Sequence, residues 1–142
     1  MILFPQPHFW TFWDFIAEAG ESPIQEWLDG LSLAAQLTFN SILKQAHKTK
    51  SPLEWTGFKR FLAGKKFQKE RLWELYFKAD GKQYRVVGKF GDNTKQAILL
   101  CGCYHKGDVY SPAEALNTAY KRARALAQGK GKLSVREIRI DI

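Results

Sequence analysis

The stretch RLWELYFKADGKQYRVVGKFGDNTKQAILLCGCY, residues 71–104, decides the fold. Arg71 to Ala79 is rich in Leu, Trp, Tyr and Phe, and the Asp80-Gly81 pair then reads as a two-residue hairpin turn into Gln83 to Phe90. Gly91-Asp92-Asn93 makes a second turn. It leads into Gln96 to Tyr104, a nearly continuous apolar run of the kind that fills a central strand. Three strands joined by tight turns predict an antiparallel meander.

Helix signals flank it on both sides. Ser22-Pro23-Ile24-Gln25, Ser51-Pro52-Leu53-Glu54 and Ser111-Pro112-Ala113-Glu114 share one pattern: a capping Ser, a Pro at the first helical position, and Glu or Gln three residues on. A short helix from Ser22 carries Ile24, Trp27, Leu28 and Leu31 and breaks near Gly30. A longer one carries Leu33, Leu37, Ile42 and Leu43 and ends in the basic run His47-Lys48-Thr49-Lys50. From Ser111 a third carries Ala115, Leu116, Ala119, Ala123, Leu126 and Ala127, with Gly129 placed to stop it. Ser51 opens a weaker turn, because Gly57 and Gly64 interrupt it, and a basic loop follows. Phe9 to Ala17 reads as an additional strand, and residues 130–142 as an extra edge strand or a tail. The expected class is α+β: a largely antiparallel sheet, made of the three-strand meander plus the N-terminal strand. Two N-terminal helices and one C-terminal helix pack on one face of it. Residues 1–142 read as a single domain, with no repeat and no linker to divide them.

Composition bounds the chemistry. With 45% hydrophobic and 14% aromatic residues in a chain of 142, a disordered or low-complexity protein is excluded. Cys101 and Cys103 are too few and too close for a disulfide framework, and His105 beside them does not complete a zinc-type ligand set. No metal or cofactor is implied, and a reducing cytoplasm is the plain reading. The greasy start lacks any Lys or Arg before Lys44 and is interrupted by Asp14, unlike a signal peptide, and nothing approaches a membrane span.

Charge is segregated. Residues 1–43 hold five acids and no base, whereas 44–85 hold twelve bases against four acids and 86–142 ten against five. The total is +8, which suits a polyanionic partner such as nucleic acid or simply a soluble surface. Glycine-rich phosphate loops, two-histidine helix motifs and serine elbows are all missing from the sequence. The chain does carry cationic and phenolic groups around the meander: Lys65, Lys66 and Lys69 in the basic loop, Arg85 within a strand, and Tyr104, His105, Lys106 and Tyr110 after the central strand. Metal-free RNA cleavage needs such a set. A base takes the 2′-OH proton, an acid protonates the leaving 5′-oxygen, and cations stabilise the charged phosphate.

Ser22 to Leu28, then Leu72-Trp73-Glu74-Leu75, Tyr84-Arg85-Val86-Val87 and Leu99 to Lys106, resemble the phage-derived HigB branch of the RelE/ParE toxin superfamily over roughly residues 9–127. The resemblance implies a small α+β toxin of a type II toxin–antitoxin pair. Such a toxin cleaves mRNA on the ribosome without a metal and is held inactive by a small protein antitoxin, expected to be of helix-turn-helix type. It implies that Arg85 contacts the scissile phosphate and that Tyr110 is a candidate base. The branch pattern departs at Cys101-Gly102-Cys103-Tyr104-His105-Lys106, where cysteines stand for its histidine and phenylalanine and His105 for one lysine. RelE's lysine pair on the first meander strand is replaced by Glu74 and Tyr76. Two other functions remain open: a ParE-like inhibitor of DNA gyrase, and a non-catalytic basic RNA-binding module.

Each candidate also has a plainer role. Arg85 can pair with Glu74 across the hairpin, a contact worth only ~0–1 kcal/mol if exposed. His105 starts near pKa ~6.5 and suits proton transfer, or is merely solvated. Tyr110 starts at ~10 and needs cationic neighbours to act as a base; otherwise it packs under the last helix. Tyr104 stacks on a base or, as we expect, sits in the core. The loop lysines are solvated and also bind RNA phosphates, Lys121, Arg122 and Arg124 form a wet helix face, and Trp55 and Trp73 are core.

Overall fold

The computed structural model describes residues 2–3, 9–60 and 62–139. In chain order these form β1 (Ile2–Leu3), β2 (Thr11–Ala17), α1 (Pro23–Asp29), α2 (Leu33–His47), a single 3-10 turn (Pro52–Glu54), β3 (Phe58–Lys59) and α3 (Lys65–Lys69). Then follow β4 (Trp73–Ala79), β5 (Lys82–Phe90), β6 (Gln96–Lys106), β7 (Val109–Ser111), α4 (Ala115–Ala127), β8 (Gly131–Val135) and β9 (Ile138–Arg139). The fold is α+β. A mostly antiparallel sheet runs β3-β4-β5-β6-β2-β8, with β7 added to β6, while β1 and β9 pair separately.

The meander β4-β5-β6 forms as its sequence dictates. Asp80 and Gly81 both take positive φ (55° and 73°), the two-residue turn whose twist matches the flanking strands, so Ala79 faces Lys82. In β6 the pairing skips one residue: Val87 faces Cys101 but Gly88 faces Leu99. This bulge at Leu100 resets the alternation. Beyond it Cys101, Cys103 and His105 share one face of the sheet, and Gly102, Tyr104 and Lys106 the other.

Three expectations need correction, and one open alternative is resolved. The helices do not lie on one face. The buried side chains Ile24 and Leu28 of α1, and Ala35, Phe39 and Leu43 of α2, pack with Leu75, Val86 and Leu99 on one side. Ala115, Ala119 and Ala123 of α4 pack with Val87, Leu100, Cys101 and Cys103 on the other. A meander with alternating apolar residues on both sides needs both sides covered. Second, β2 joins β6 in parallel and receives β8 antiparallel, so of the two readings of the C-terminal segment the edge strand is the one that forms, over residues 131–135. Third, the expected basic loop holds the helical turn α3. Fourth, Leu33 and Leu37 are exposed, because the true stripe of α2 is Ala35, Phe39, Ile42, Leu43 and Ala46, about half a turn away.

The caps also redistribute. Ser51 forms the full reciprocal cap with Glu54, although its helix is a single 3-10 turn. Ser22 makes no side-chain cap, and Ser111 is the last residue of β7, with α4 starting only at Ala115. Trp55 and Trp73 are buried as expected. Gly102 is required by packing: a Cβ there would stand 2.0 Å from the indole of Trp27 on α1. Among the described residues, no helix is long and apolar enough to cross a membrane.

Candidate functional site

Strand register builds a cluster on the α4-facing side of the sheet. Cross-strand partners project their side chains to the same face. Tyr76, Arg85 and Cys103 stand in one row across β4, β5 and β6. Lys78, Gln83, His105 and Tyr110 form the next row, ending on β7. Lys59 and Glu74 form a third, across β3 and β4.

The contacts tie these rows together. The guanidinium of Arg85 lies 4.1 Å above the centre of the Tyr76 ring, and its Nη1 donates to the Tyr84 carbonyl at 3.2 Å. Its Nε is 3.4 Å from Glu74 Oε1. The hydroxyl of Tyr110 donates to Glu74 Oε2 at 2.7 Å, and the Tyr110 ring stands edge-on to His105 with centres 4.3 Å apart. The side chains of Arg85 and Glu74 are only 12% and 3% exposed. Arg85 Nε and His105 Nε2 are buried without a protein hydrogen-bond partner.

Burial and charge set the protonation states. Burial, and then the nearby Arg85, hold His105 below its ordinary value; Lys59 adds to this, while Glu74 and Asp108 oppose it. The imidazole is therefore neutral at pH 7 and has a lone pair to accept a proton. Tyr110 moves the other way. Burial, the hydrogen bond to Glu74 and the Glu74 charge all raise it, so the phenol keeps its proton. In this arrangement Tyr110 is a hydrogen-bond donor, which works against the base role expected for it. Cys103 is raised mainly by burial and is an inert thiol, as is Cys101, whose rise is tempered by Arg122.

Arg85, His105 and Tyr110 thus meet on one face of the sheet. Lys106 and Tyr104 do not join them, because the pleat turns both to the opposite side. There Tyr104 packs against the α1/α2 core, while Lys106 is exposed at the strand end. Lys65, Lys66 and Lys69 ride on α3, beside α4, with Lys66 Nζ 5.0 Å from the Tyr120 ring centre. Arg122, expected on a wet face, instead donates to the Leu100 carbonyl at 2.7 Å and anchors α4 to the sheet.

Sequence reasoning assigned no site role to Glu74, Tyr76 and Lys59. Glu74 appeared only as a partner for Arg85, and that pair does form, though diagonally: Tyr76 is the residue directly opposite Arg85. The signal available was period-two alternation along β4, which sends Glu74 and Tyr76 to the same face as Arg85. Among the described residues, no three His, Cys, Asp or Glu side chains converge on a point where a metal would sit.

A family model described as phage-derived protein Gp49-like (DUF891) matches residues 26–124, more than half of the chain and inclusive of the whole cluster. No curated protein and no solved structure matches significantly.

Proposed function

The chain belongs to the Gp49-like phage-derived protein family (DUF891), and from that premise we propose that it is the toxin of a type II toxin–antitoxin pair, acting as a metal-independent mRNA endoribonuclease on the ribosome. The observation that carries this reading is the convergence of Arg85, a neutral His105 and the Tyr110 hydroxyl on one sheet face. In the reaction, neutral His105 accepts the 2′-OH proton while the 2′-oxygen attacks phosphorus. The bond from phosphorus to the 5′-oxygen breaks, leaving a 2′,3′-cyclic phosphate. The 5′-oxygen departs with a proton from water. Arg85 balances the extra negative charge of the pentavalent phosphate. Lys59 adds positive charge on the same face, and Lys65, Lys66 and Lys69 supply backbone contacts further along the RNA. The partners of this reading are mRNA on the ribosome and a small helix-turn-helix antitoxin, in the cytoplasm.

The test is a brief pulse of expression followed by mapping of cellular mRNA 5′ ends. Growth arrest with new ends within translated messages is expected, and both are lost when Arg85 and His105 are replaced by Ala. Persistent cleavage in that double variant removes the site assignment. DNA damage without transcript cleavage would select gyrase inhibition instead. RNA binding without turnover would reduce the protein to a basic binding module.

A further inference from the structure

One carboxylate ties the whole cluster together. Both oxygens of Glu74 are used, Oε1 facing Arg85 Nε on β5 and Oε2 accepting from Tyr110 on β7. Tyr110 is in register with His105, at the far side of β6 from β5. For its hydroxyl to reach β4, the phenol must lie across the sheet face, and its ring meets that of His105 edge-on. His105 Nε2 is left covered and without a partner. A buried unpartnered nitrogen is unfavourable unless another state of the molecule uses it. The element carrying the cover is slight: β7 has three residues, and its link to β6 turns at Gly107, where φ is +66° and an added Cβ would meet nothing.

We propose that Glu74 is the positioning residue of this cluster, holding Arg85 by charge and latching Tyr110 as a cover over His105, and that an incoming phosphate opens the cover by competing for Arg85. The proposal rests on the reading of Arg85 and His105 as the site, but its test needs no RNA cleavage. When the guanidinium turns to an outside anion, Glu74 loses one of its two ties. The Tyr110–Glu74 bond then loosens, and β7 swings on Gly107 to expose Nε2. The cluster would in this way keep Nε2 of its imidazole covered until a phosphodiester arrives.

The experiment is the rate at which diethyl pyrocarbonate modifies His105 in the full chain, followed by mass spectrometry of the peptide that carries it. Modification is expected to be slow in the wild type and about ten-fold faster in Tyr110→Phe, the factor that one hydrogen bond of ordinary strength holds back. Inorganic phosphate is expected to accelerate the wild-type reaction, and to do so at lower concentration in Glu74→Gln. That variant keeps an acceptor for Tyr110 but no longer competes for Arg85.

The NMR titration of His105 supplies a readout that space-filling alone would not move. Arg85 and Lys59 lower its pKa, whereas Glu74 and Asp108 raise it, so Glu74→Gln should lower it further. A folded Tyr110→Phe protein with the wild-type modification rate overturns the cover. If that variant does not fold, a wild-type rate indifferent to phosphate does so. Either result leaves the RNA-cleavage reading standing. Conversely, a protein that cleaves no RNA but shows these rates retains the latch without that reaction.

Discussion

Two carboxylate–arginine pairs with little exposure, Asp14–Arg136 and Glu74–Arg85, are built differently. Asp14 on β2 receives Arg136 in a fork: Nε lies 2.9 and 3.0 Å from the two oxygens, and Nη2 lies 2.6 Å from Oδ2. Gln25 on α1 accepts a further bond from the same nitrogen at 2.7 Å. Glu74 and Arg85 approach only to 3.4 Å, end to side, leaving Arg85 Nε without a hydrogen bond and the neighbouring His105 Nε2 unpartnered. The first pair uses the planar match of guanidinium and carboxylate fully and ties the segment between β8 and β9 to the sheet. The second leaves hydrogen-bonding capacity unspent. A saturated pair holds a fold together, whereas an unsaturated one can still bind something else. The saturated pair also bridges segments outside the family match, since Asp14 and Arg136 both lie beyond residues 26–124, while the unsaturated pair lies within it.

Breaking the saturated pair is expected to cost the most stability. Asp14→Ala leaves a buried guanidinium uncompensated and is expected to destabilise by about 3–5 kcal/mol in urea unfolding. Transcript cleavage by the fraction still folded should be unchanged. Arg85→Ala should reverse the pattern. Arg85 approaches Glu74 only to 3.4 Å and Tyr110 still donates to the remaining carboxylate, so the stability loss is expected to be the smaller of the two. Transcript cleavage should fall by roughly 10²–10³-fold, as when a transition-state charge partner is removed. Equal stability losses in the two variants, with cleavage intact in Arg85→Ala, would erase the distinction between the pairs.

The two regions were also unequally legible in the sequence. The meander could be read because its turns are local chemistry: Asp80-Gly81 needs only two residues to specify a hairpin. The bulge at Leu100 could not, since it is set by which β5 residue each β6 residue meets, and the faces of Cys101, Cys103 and His105 depend on it. Reading Arg85, His105 and Tyr110 as one site was therefore possible by residue type alone. Separating them from Lys106 and Tyr104 required the pleat. Asp14 and Arg136 lie 122 positions apart, and neither carries a local signature. The second helix-covered face was hidden for a related reason: the alanines of α4 make a stripe that is plain in the sequence, but nothing local says which side of the sheet receives it.

A smaller effect tests the bulge itself. Because it turns Gly102 toward α1, Gly102→Ala should press its methyl against Trp27, while the α4 side with Arg85 and His105 is not touched. Overpacking of this kind costs about 1–3 kcal/mol. The expected result is a lowered urea midpoint and a changed tryptophan fluorescence, with cleavage by the folded protein preserved. A neutral substitution would mean that Gly102 does not face α1, and the assignment of His105 to the opposite face would go with it.

The mildest prediction concerns pH, and the cluster should act at both ends of the scale. His105 is held below its unfolded value of about 6.5, so the unfolded chain binds its proton first as pH falls. Its contribution to stability is complete above about pH 6.5 and is lost as pH drops through the lower folded value. Tyr110 is held above its unfolded value of about 10, so its contribution is complete below about pH 10 and is lost as pH rises toward the folded value. His105→Gln should therefore flatten the acid side of the stability profile, and Tyr110→Phe the alkaline side. In ultraviolet titration, Tyr110→Phe should remove one phenol that ionises late. If His105→Gln left the acid limb unchanged, His105 would be solvated in the folded protein. The covered, unsatisfied Nε2 that separates the Glu74 cluster from the Asp14 pair would then not exist.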